Sequence, residues 1–386
     1  MTDLAIGGFV SPGFAGVAAE FERNFAERGE VGAAFAVVVD GELVADLWGG
    51  WADARERRPW GPDTLQVIFS GTKGLVAVCV LLCIQRGVLD LEQSVCRYWP
   101  EFGKESIRVR DVVSHTARLP GVETPVAFDE LLDSPRMAAH LAGQAQSTDP
   151  RAKFCYHALT YGWLCGELVR RVDGRSIGRF FTDEVADPLG LELWIGLPST
   201  LEDRVSTIEL ADHWPATAPV DERAFERDPL LRSIWGNPPT FARESFAWND
   251  AAYHAAEIPG VGGIGTARDV ARLYAGLDRL LTTETLGIAT TTLSEGCDEA
   301  HGVQRRFGVG FALQSEGSSL GPPNDAFGHG GAGGSIHGAW PSRRVGFSYA
   351  MNLMRDDEPA DPRAEALLTA LDRALPETAT RSKRSS

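Results

Sequence analysis

Ten consecutive residues, Leu75 to Ile84, are apolar without interruption. At 3.6 residues per turn, a helix made from this run has no polar face, so it must be enclosed on most sides. A bilayer-spanning helix takes about 20 residues, which rules out a membrane span here. The run therefore demands a protein core, with other layers wrapped around it. The 386 residues supply one: 44% are hydrophobic and 23% charged, which excludes a disordered or fibrous chain. This length predicts two or three structural units.

Thirty-seven basic against 53 acidic residues give a formal charge of -16. A surface this acidic repels a phosphate backbone, so no nucleic-acid partner is expected. The six cysteines form no CxxC pair, and Cys79 and Cys83 fall one helical turn apart inside the apolar run as buried thiols. No basic n-region precedes an apolar stretch at the N-terminus. These features predict a reduced, cytoplasmic, soluble protein without a membrane partner, and they leave the oligomeric state open.

Extended segments lie towards both ends. Gly32 to Val39 and Glu42 to Trp48 flank Asp40-Gly41, a strong hairpin signal, and Thr64 to Phe69 leads into Ser70. Further strands are expected over Phe307 to Gln314, Ser335 to Trp340 and Val345 to Asn352. Helices are expected over 12–28, Val76 to Gln85, Tyr156 to Arg171, Thr266 to Leu277 with a capping threonine, and Pro362 to Leu375. The reading is α+β, with a unit built from both termini (1–69 plus 256–386) and an inserted, mainly helical unit (70–255). Within the insert, 214–249 mixes prolines with Trp235, Phe241, Phe246 and Trp248, as expected of a packed, loop-rich pocket wall.

Chemistry concentrates at Phe69-Ser70-Gly71-Thr72-Lys73, where a strand gives way to the buried helix. Ser70 alone reads as an ordinary helix cap. Lys73, three residues on, shares its helix face and heads wholly apolar turns. Burial depresses a lysine pKa, so an uncharged amine can accept the serine proton. The helix start also offers free N–H groups to a developing oxyanion.

Two local patterns are read as decoys. Gly317-Ser318-Ser319-Leu320-Gly321 satisfies GxSxG, but the prolines that follow cannot start a helix, so Ser319 is expected on a surface loop. Gly260 to Gly265 satisfies GxGxxG without the strand that a dinucleotide site needs, and reads as close backbone packing. The histidines form no HExxH or other ligand spacing, so no metal or cofactor is implied. His115 reads as structural, His157 as a supporting or exposed residue, and His337 as lying on a strand face. The tail Arg381-Ser382-Lys383-Arg384 is expected to be solvated.

Ser70-Gly71-Thr72-Lys73 in this setting resembles the first motif of the serine β-lactamase and penicillin-binding-protein superfamily. Tyr156-His157-Ala158 is similar to its second motif, and His329-Gly330-Gly331 with Ala332-Gly333-Gly334 to its third. Ser114-His115-Thr116 before Leu119-Pro120-Gly121, and Gly262-Gly263 before Thr266-Ala267-Arg268-Asp269, are smaller echoes. The resemblance covers roughly 15–375. It implies a β-lactamase-like fold, an antiparallel sheet flanked by helices.

In detail the chain resembles the class C β-lactamase-like esterases, the family VIII carboxylesterases. His329 and Gly330 stand where lactamases and peptidases of the superfamily carry lysine and a hydroxyl residue. Ala158 stands where they carry asparagine. A site lacking those polar partners is expected to bind a charged acyl-peptide poorly. The resemblance implies Ser70 as nucleophile, Lys73 and Tyr156 as sharers of the base role, and the N–H groups of Ser70 and Ala332 as the oxyanion hole. It implies His329, Gly330 and Gly331 at the substrate; Trp235 and Phe241 are expected to line its pocket. The expected activity is hydrolysis of esters with small to medium acyl groups. β-Lactamase or D-Ala-D-Ala peptidase-like activity, acyl transfer, and a non-catalytic binding protein on the penicillin-recognising fold are the alternatives.

Overall fold

The computed structural model describes residues 6–214, 225–315, 318–356 and 360–376. Its centre is a ten-stranded sheet in which every pairing is antiparallel. The order across it is Ile6–Val10, Glu42–Asp53, Gly32–Val39, Val345–Met351, Ile336–Trp340, Phe327–Gly330, Ala312–Leu313, Val303–Phe307 and Ser294–Asp298, with Arg58–Pro59 paired to Glu42–Asp53. Chain from both ends thus meets in one sheet, as expected.

The central strands are hydrophobic at nearly every position because both faces are covered. Phe35, Val37, Phe347 and Tyr349 meet Val17, Phe21, Leu367 and Leu371 from the helices Ala15–Glu27 and Pro362–Ala374. On the opposite face Ala36, Val38 and Ala350 admit Ala271 of the helix Ala267–Ala275. Thr266 caps that helix by accepting from the Asp269 N–H, as read from sequence. The hairpin turn also holds: Asp40 at φ 52° and Gly41 at φ 82° supply the two left-handed residues that a mirror-image turn requires.

The apolar run forms the helix Thr72–Gln85, buried from Thr72 through Cys83. It packs against the helices Thr160–Asp173 and Ile177–Phe181. A small sheet of Gln66–Val67, Gly263–Gly265 and Leu193–Ile195 anchors the segment leading into Ser70. Thr72 Oγ1 ties the helix start to that sheet, donating to the Phe69 carbonyl and accepting from the Gly263 N–H. The GxGxxG run is thereby absorbed into packing: a Cβ on Gly162 would lie 2.0 Å from Gly260 N.

Several expectations are corrected. The strands Ile6–Val10 and Ser294–Asp298 carry no sequence signal, because paired glycines interrupt the first and the second is largely polar. The strand expected over 307–314 is two strands, interrupted where Gly310 turns at φ 75° and donates to the Val113 carbonyl. The 214–249 stretch is not all loop: Pro229–Trp235 is helical, with Asp228 as cap and Pro229 in the first turn, where it loses no bond. Residues 215–224, Gly317 and the basic tail lie outside the described residues. All six cysteines are free, five of them buried. Among the described residues no helix is long and apolar enough to cross a membrane.

Arg363, fully buried, binds Glu30 at 2.8 Å and Asp361 at 2.7 Å, and donates to the carbonyls of Leu353 and Gly333. It ties the C-terminal helix to the strand beside it and to the turn that follows Ala332. Removing one member leaves buried charge unpaired, which costs about 3–5 kcal/mol. Arg363→Met is expected to lose that much in urea unfolding. A loss under about 1 kcal/mol would contradict this account.

Candidate active site

Ser70 sits where the strand segment turns into the buried helix. Phe69 before it takes φ 45°, an uncommon conformation for a bulky residue, held by packing against Phe241 and Trp248. Gly71 after it has no space for a side chain, since a Cβ would lie 2.5 Å from the His337 ring. The turn therefore presents the Ser70 hydroxyl in a cleft of about 610 Å³.

Lys73 is fully buried, with Nζ 3.1 Å from Ser70 Oγ. Nζ donates to the Ala158 carbonyl at 2.6 Å and the Gly260 carbonyl at 2.9 Å. Burial holds its pKa well below the usual lysine value, and the Arg305 charge lowers it further. An uncharged amine has two hydrogens, which satisfy the two carbonyls. Its lone pair is then left for the Ser70 hydroxyl.

Tyr156 reaches the same place. Lys73 Nζ lies 4.7 Å from its ring centroid. Its hydroxyl lies 3.4 Å from His329 Nε2, and Tyr156 lines the same cleft as Ser70. Burial raises the phenol pKa, and the nearby Ser70 hydroxyl opposes that rise. Phe307 stacks parallel to the ring at 11° and His115 packs on it at 4.9 Å. Tyr156 does not head the helix, which begins at Thr160. Its N–H is given to Asp298 Oδ2, and the Ala158 carbonyl to Lys73, so these groups serve the site rather than a helical ladder.

His329 Nδ1 lies 2.8 Å from the Gly330 carbonyl. A carbonyl only accepts, so Nδ1 carries the proton and Nε2 faces Tyr156 as an acceptor. Burial and Lys73 lower the His329 pKa to about 3, so the ring is neutral where a lysine would be charged. Gly331 closes the turn tightly: a Cβ there would lie 2.5 Å from the Ile68 carbonyl and 2.2 Å from Ser335 Oγ. The backbone N–H groups of Ser70 and Ala332 donate to no described residue, while both residues line the cleft. Paired free donors beside a hydroxyl can hold an oxyanion.

Trp235 and Phe241 also line the cleft, with ring centroids 5.9 Å apart. The structure therefore gathers Ser70, Tyr156, Trp235, Phe241, His329, Gly330, Gly331 and Ala332 around one cavity, with Lys73 directly behind Ser70. Ser318 and Ser319 line it too: Ser319 lies on a partly exposed loop away from any strand-to-helix turn, as read from sequence, and that loop also forms cleft wall. His157 is buried, not exposed; its Nδ1 bonds the Cys155 carbonyl and its Nε2 accepts from the Leu119 N–H. His337 is on a strand, as expected, and bonds Ser348 Oγ.

Sequence reasoning missed a second layer. Asp298 Oδ2 accepts from the Tyr156 N–H, from His301 Nδ1 at 2.8 Å and from Arg305 Nε at 3.2 Å. His301 Nε2 in turn accepts from Trp235 Nε1 at 3.0 Å. Cys155 joins Asp298 and His301 in a cluster with the donor-atom spacing of a metal site, but the Arg305 guanidinium on the same carboxylate oxygen opposes a cation there. No spacing signal links these residues in sequence; only the last strands of the sheet bring them to Tyr156.

A reactive hydroxyl, a desolvated amine and free backbone donors at the mouth of an α+β fold define the class of the serine hydrolases. The chain belongs to the Beta-lactamase family, whose model matches residues 18–371. It is 32% identical over 365 residues to the esterase/beta-lactamase LipL of Mycobacterium tuberculosis (strain ATCC 25618 / H37Rv), covering 89% of this chain and 82% of that protein. A crystal structure of a family VIII carboxylesterase superposes with a TM-score of 0.86 at 35% identity, covering 96% of this chain and all (100%) of that one. A penicillin-binding protein homologue from Caulobacter crescentus superposes equally well, with a TM-score of 0.86, 34% identity, and coverage of 96% and 100%. The protein is a serine hydrolase of the esterase type.

Buried neutral histidines leave a stability signature. In the folded protein His157 is held near pH 4, His329 and His337 near 3, and His115 well below its ordinary value, all chiefly by burial. The unfolded chain binds those protons from about pH 6.5 downwards. Stability is therefore complete above that pH and falls as acid is added towards pH 4, by about 2 kcal/mol per histidine at pH 5. The urea midpoint is expected to drop steeply between pH 7 and pH 5; an unchanged midpoint would refute the buried-neutral assignment.

Proposed function

We propose that the protein hydrolyses esters of small to medium acyl groups through an acyl-enzyme on Ser70. Residues 1–69 with 256–386 and residues 70–255 serve in this reading as the two units that meet at the cleft. The observation that carries it is the buried Lys73 amine, 3.1 Å from Ser70 Oγ with both remaining polar contacts made by carbonyls. Ser70 Oγ attacks the ester carbonyl carbon as its proton passes to Lys73, directly or through Tyr156. The N–H groups of Ser70 and Ala332 hold the oxyanion. On collapse the alcohol leaves with a proton from Tyr156, which the protonated Lys73 replaces, so both groups return to their starting state. Water then attacks the acyl-enzyme, the same groups take its proton, and the acid is released. Lys73 and Tyr156 share one proton network, so neither is assigned as sole base.

The neutral His329 favours esters over substrates of the peptidase and lactamase type. An uncharged ring that accepts from Tyr156 supplies no cation for an acyl-peptide carboxylate at that position. The aromatic wall of Trp235 and Phe241 suits an uncharged acyl group.

With p-nitrophenyl butyrate, Ser70→Ala is expected to lose about 10⁴-fold or more in kcat, and Lys73→Met and Tyr156→Phe about 10²- to 10⁴-fold each. Mass spectrometry of the wild type under rapid quench is expected to show the butyryl adduct on Ser70. Undiminished turnover by Ser70→Ala removes the proposal, and nitrocefin turnover as efficient as ester turnover replaces it with a lactamase.

The pH profile follows from Lys73. The amine must be uncharged, so kcat/KM rises with pH through the depressed lysine pKa. His329, at about 3, is neutral throughout. His329→Gln is expected to leave the acid limb where it is, whereas an acid limb that vanishes in this variant would move the base role to the histidine.

A further inference from the structure

The cleft has a charge opposite to the rest of the molecule. The chain has a net charge of -16, yet the charged residues that line the cleft, among those described, are Arg305, Arg306, Arg355 and Asp356. Arg306 spends Nε on Thr292 and Nη1 on the Gln314 carbonyl. Arg355 donates to the Arg28 carbonyl and, like Asp356, has further partners. Arg305 differs. Its Nε is fixed on the buried Asp298 carboxylate at 3.2 Å, and its guanidinium lies 4.8 Å from the Tyr156 ring centroid. Both terminal nitrogens make no hydrogen bond among the described residues, and 27% of the side chain is exposed.

An arginine held by its Nε and by an aromatic face is already ordered, so its two free NH₂ groups bind with little further entropy loss. They form a planar fork that matches a carboxylate. The nearby imidazole cannot compete, because His329 Nε2 is an acceptor facing Tyr156. Nor is the fork needed for folding, since the contact to Asp298 uses only Nε.

We infer that Arg305 is a specificity-determining residue that binds a carboxylate on the substrate, so that the preferred esters carry an anionic group besides the ester itself. Tyr156, on which Arg305 lies, protonates the departing alcohol in the mechanism above. The carboxylate therefore belongs to the alcohol part. This inference rests on the proposed ester hydrolysis and assigns its substrate class: acyl esters of hydroxy acids.

The test compares 4-acetoxybenzoate with its neutral analogue 4-acetoxybenzamide. Wild type is expected to favour the anion by about tenfold to a hundredfold in kcat/KM, mainly through KM. Added salt narrows the preference. Arg305→Met is expected to abolish it, and Arg305→Lys to keep part of it as a point charge. Arg305 also touches Tyr156, so both variants can slow both esters; the ratio between the esters reads recognition alone.

Calorimetric binding of 4-acetoxybenzoate to Ser70→Ala protein, expected to be lost in Ser70→Ala/Arg305→Met, measures the same contact without turnover. An unchanged ester ratio in Arg305→Met overturns the inference. So does an anion preference found only with the carboxylate on the acyl side, as in p-nitrophenyl hydrogen adipate against p-nitrophenyl hexanoate. Full turnover by Ser70→Ala would instead break the nucleophile assignment and leave the recognition result standing.

Discussion

The site depends on one buried amine. Lys73 lies fully buried in the first turn of a helix with no polar face, so its ammonium has no water, and no carboxylate among the described residues, to stabilise it. Two backbone carbonyls take two of its hydrogens, and the third position belongs to Ser70. Those carbonyls come from distant places, Ala158 before one helix and Gly260 in a glycine-rich turn. The amine is thus a point where the buried helix, the segment carrying Tyr156 and the small sheet meet. Its low proton affinity is a consequence of the packing that makes the fold.

The rest of the structure holds this arrangement in place. Thr72 fixes the helix start to Gly263. Asp298 holds the backbone of Tyr156, Arg305 and His301 at once, and through His301 reaches the indole of Trp235 in the cleft wall. Arg363 reaches from the C-terminal helix to the Gly333 carbonyl, beside the Ala332 N–H. Each part of the cleft therefore leans on a buried ionic or hydrogen-bonded node one layer back. The same low-dielectric setting that makes each node costly to break keeps the reacting groups in register.

Much of this was legible in sequence. The apolar run after Ser70-Gly71-Thr72-Lys73, the Asp40-Gly41 hairpin, the Thr266 cap and the strands over 335–340 and 345–352 all follow from local rules, and the structure bears them out. The errors have a common source. Tyr156 reads from sequence as the head of a helix, because local pattern cannot see that a backbone group is claimed by a distant partner. Arg305, Asp298 and His301 were overlooked for the same reason, since charged residues in an ordinary strand and turn carry no mark of what they will face.

The amino-acid sequence by itself determined which chemistry was available: a serine and a lysine one helical turn apart, on a helix that could only be buried, with a histidine beside a run of glycines near the C-terminal strands. Spacing along a helix is short-range geometry, and burial follows from composition. Only the tertiary structure decided which groups met. The convergence of Tyr156, His329 and Ala332 on Ser70, the carbonyls that hold Lys73, and the arginine left with open donors in an otherwise acidic molecule depend on chain contacts across tens to hundreds of residues. Such contacts are selected by the packing of the whole core, which no local stretch of sequence specifies.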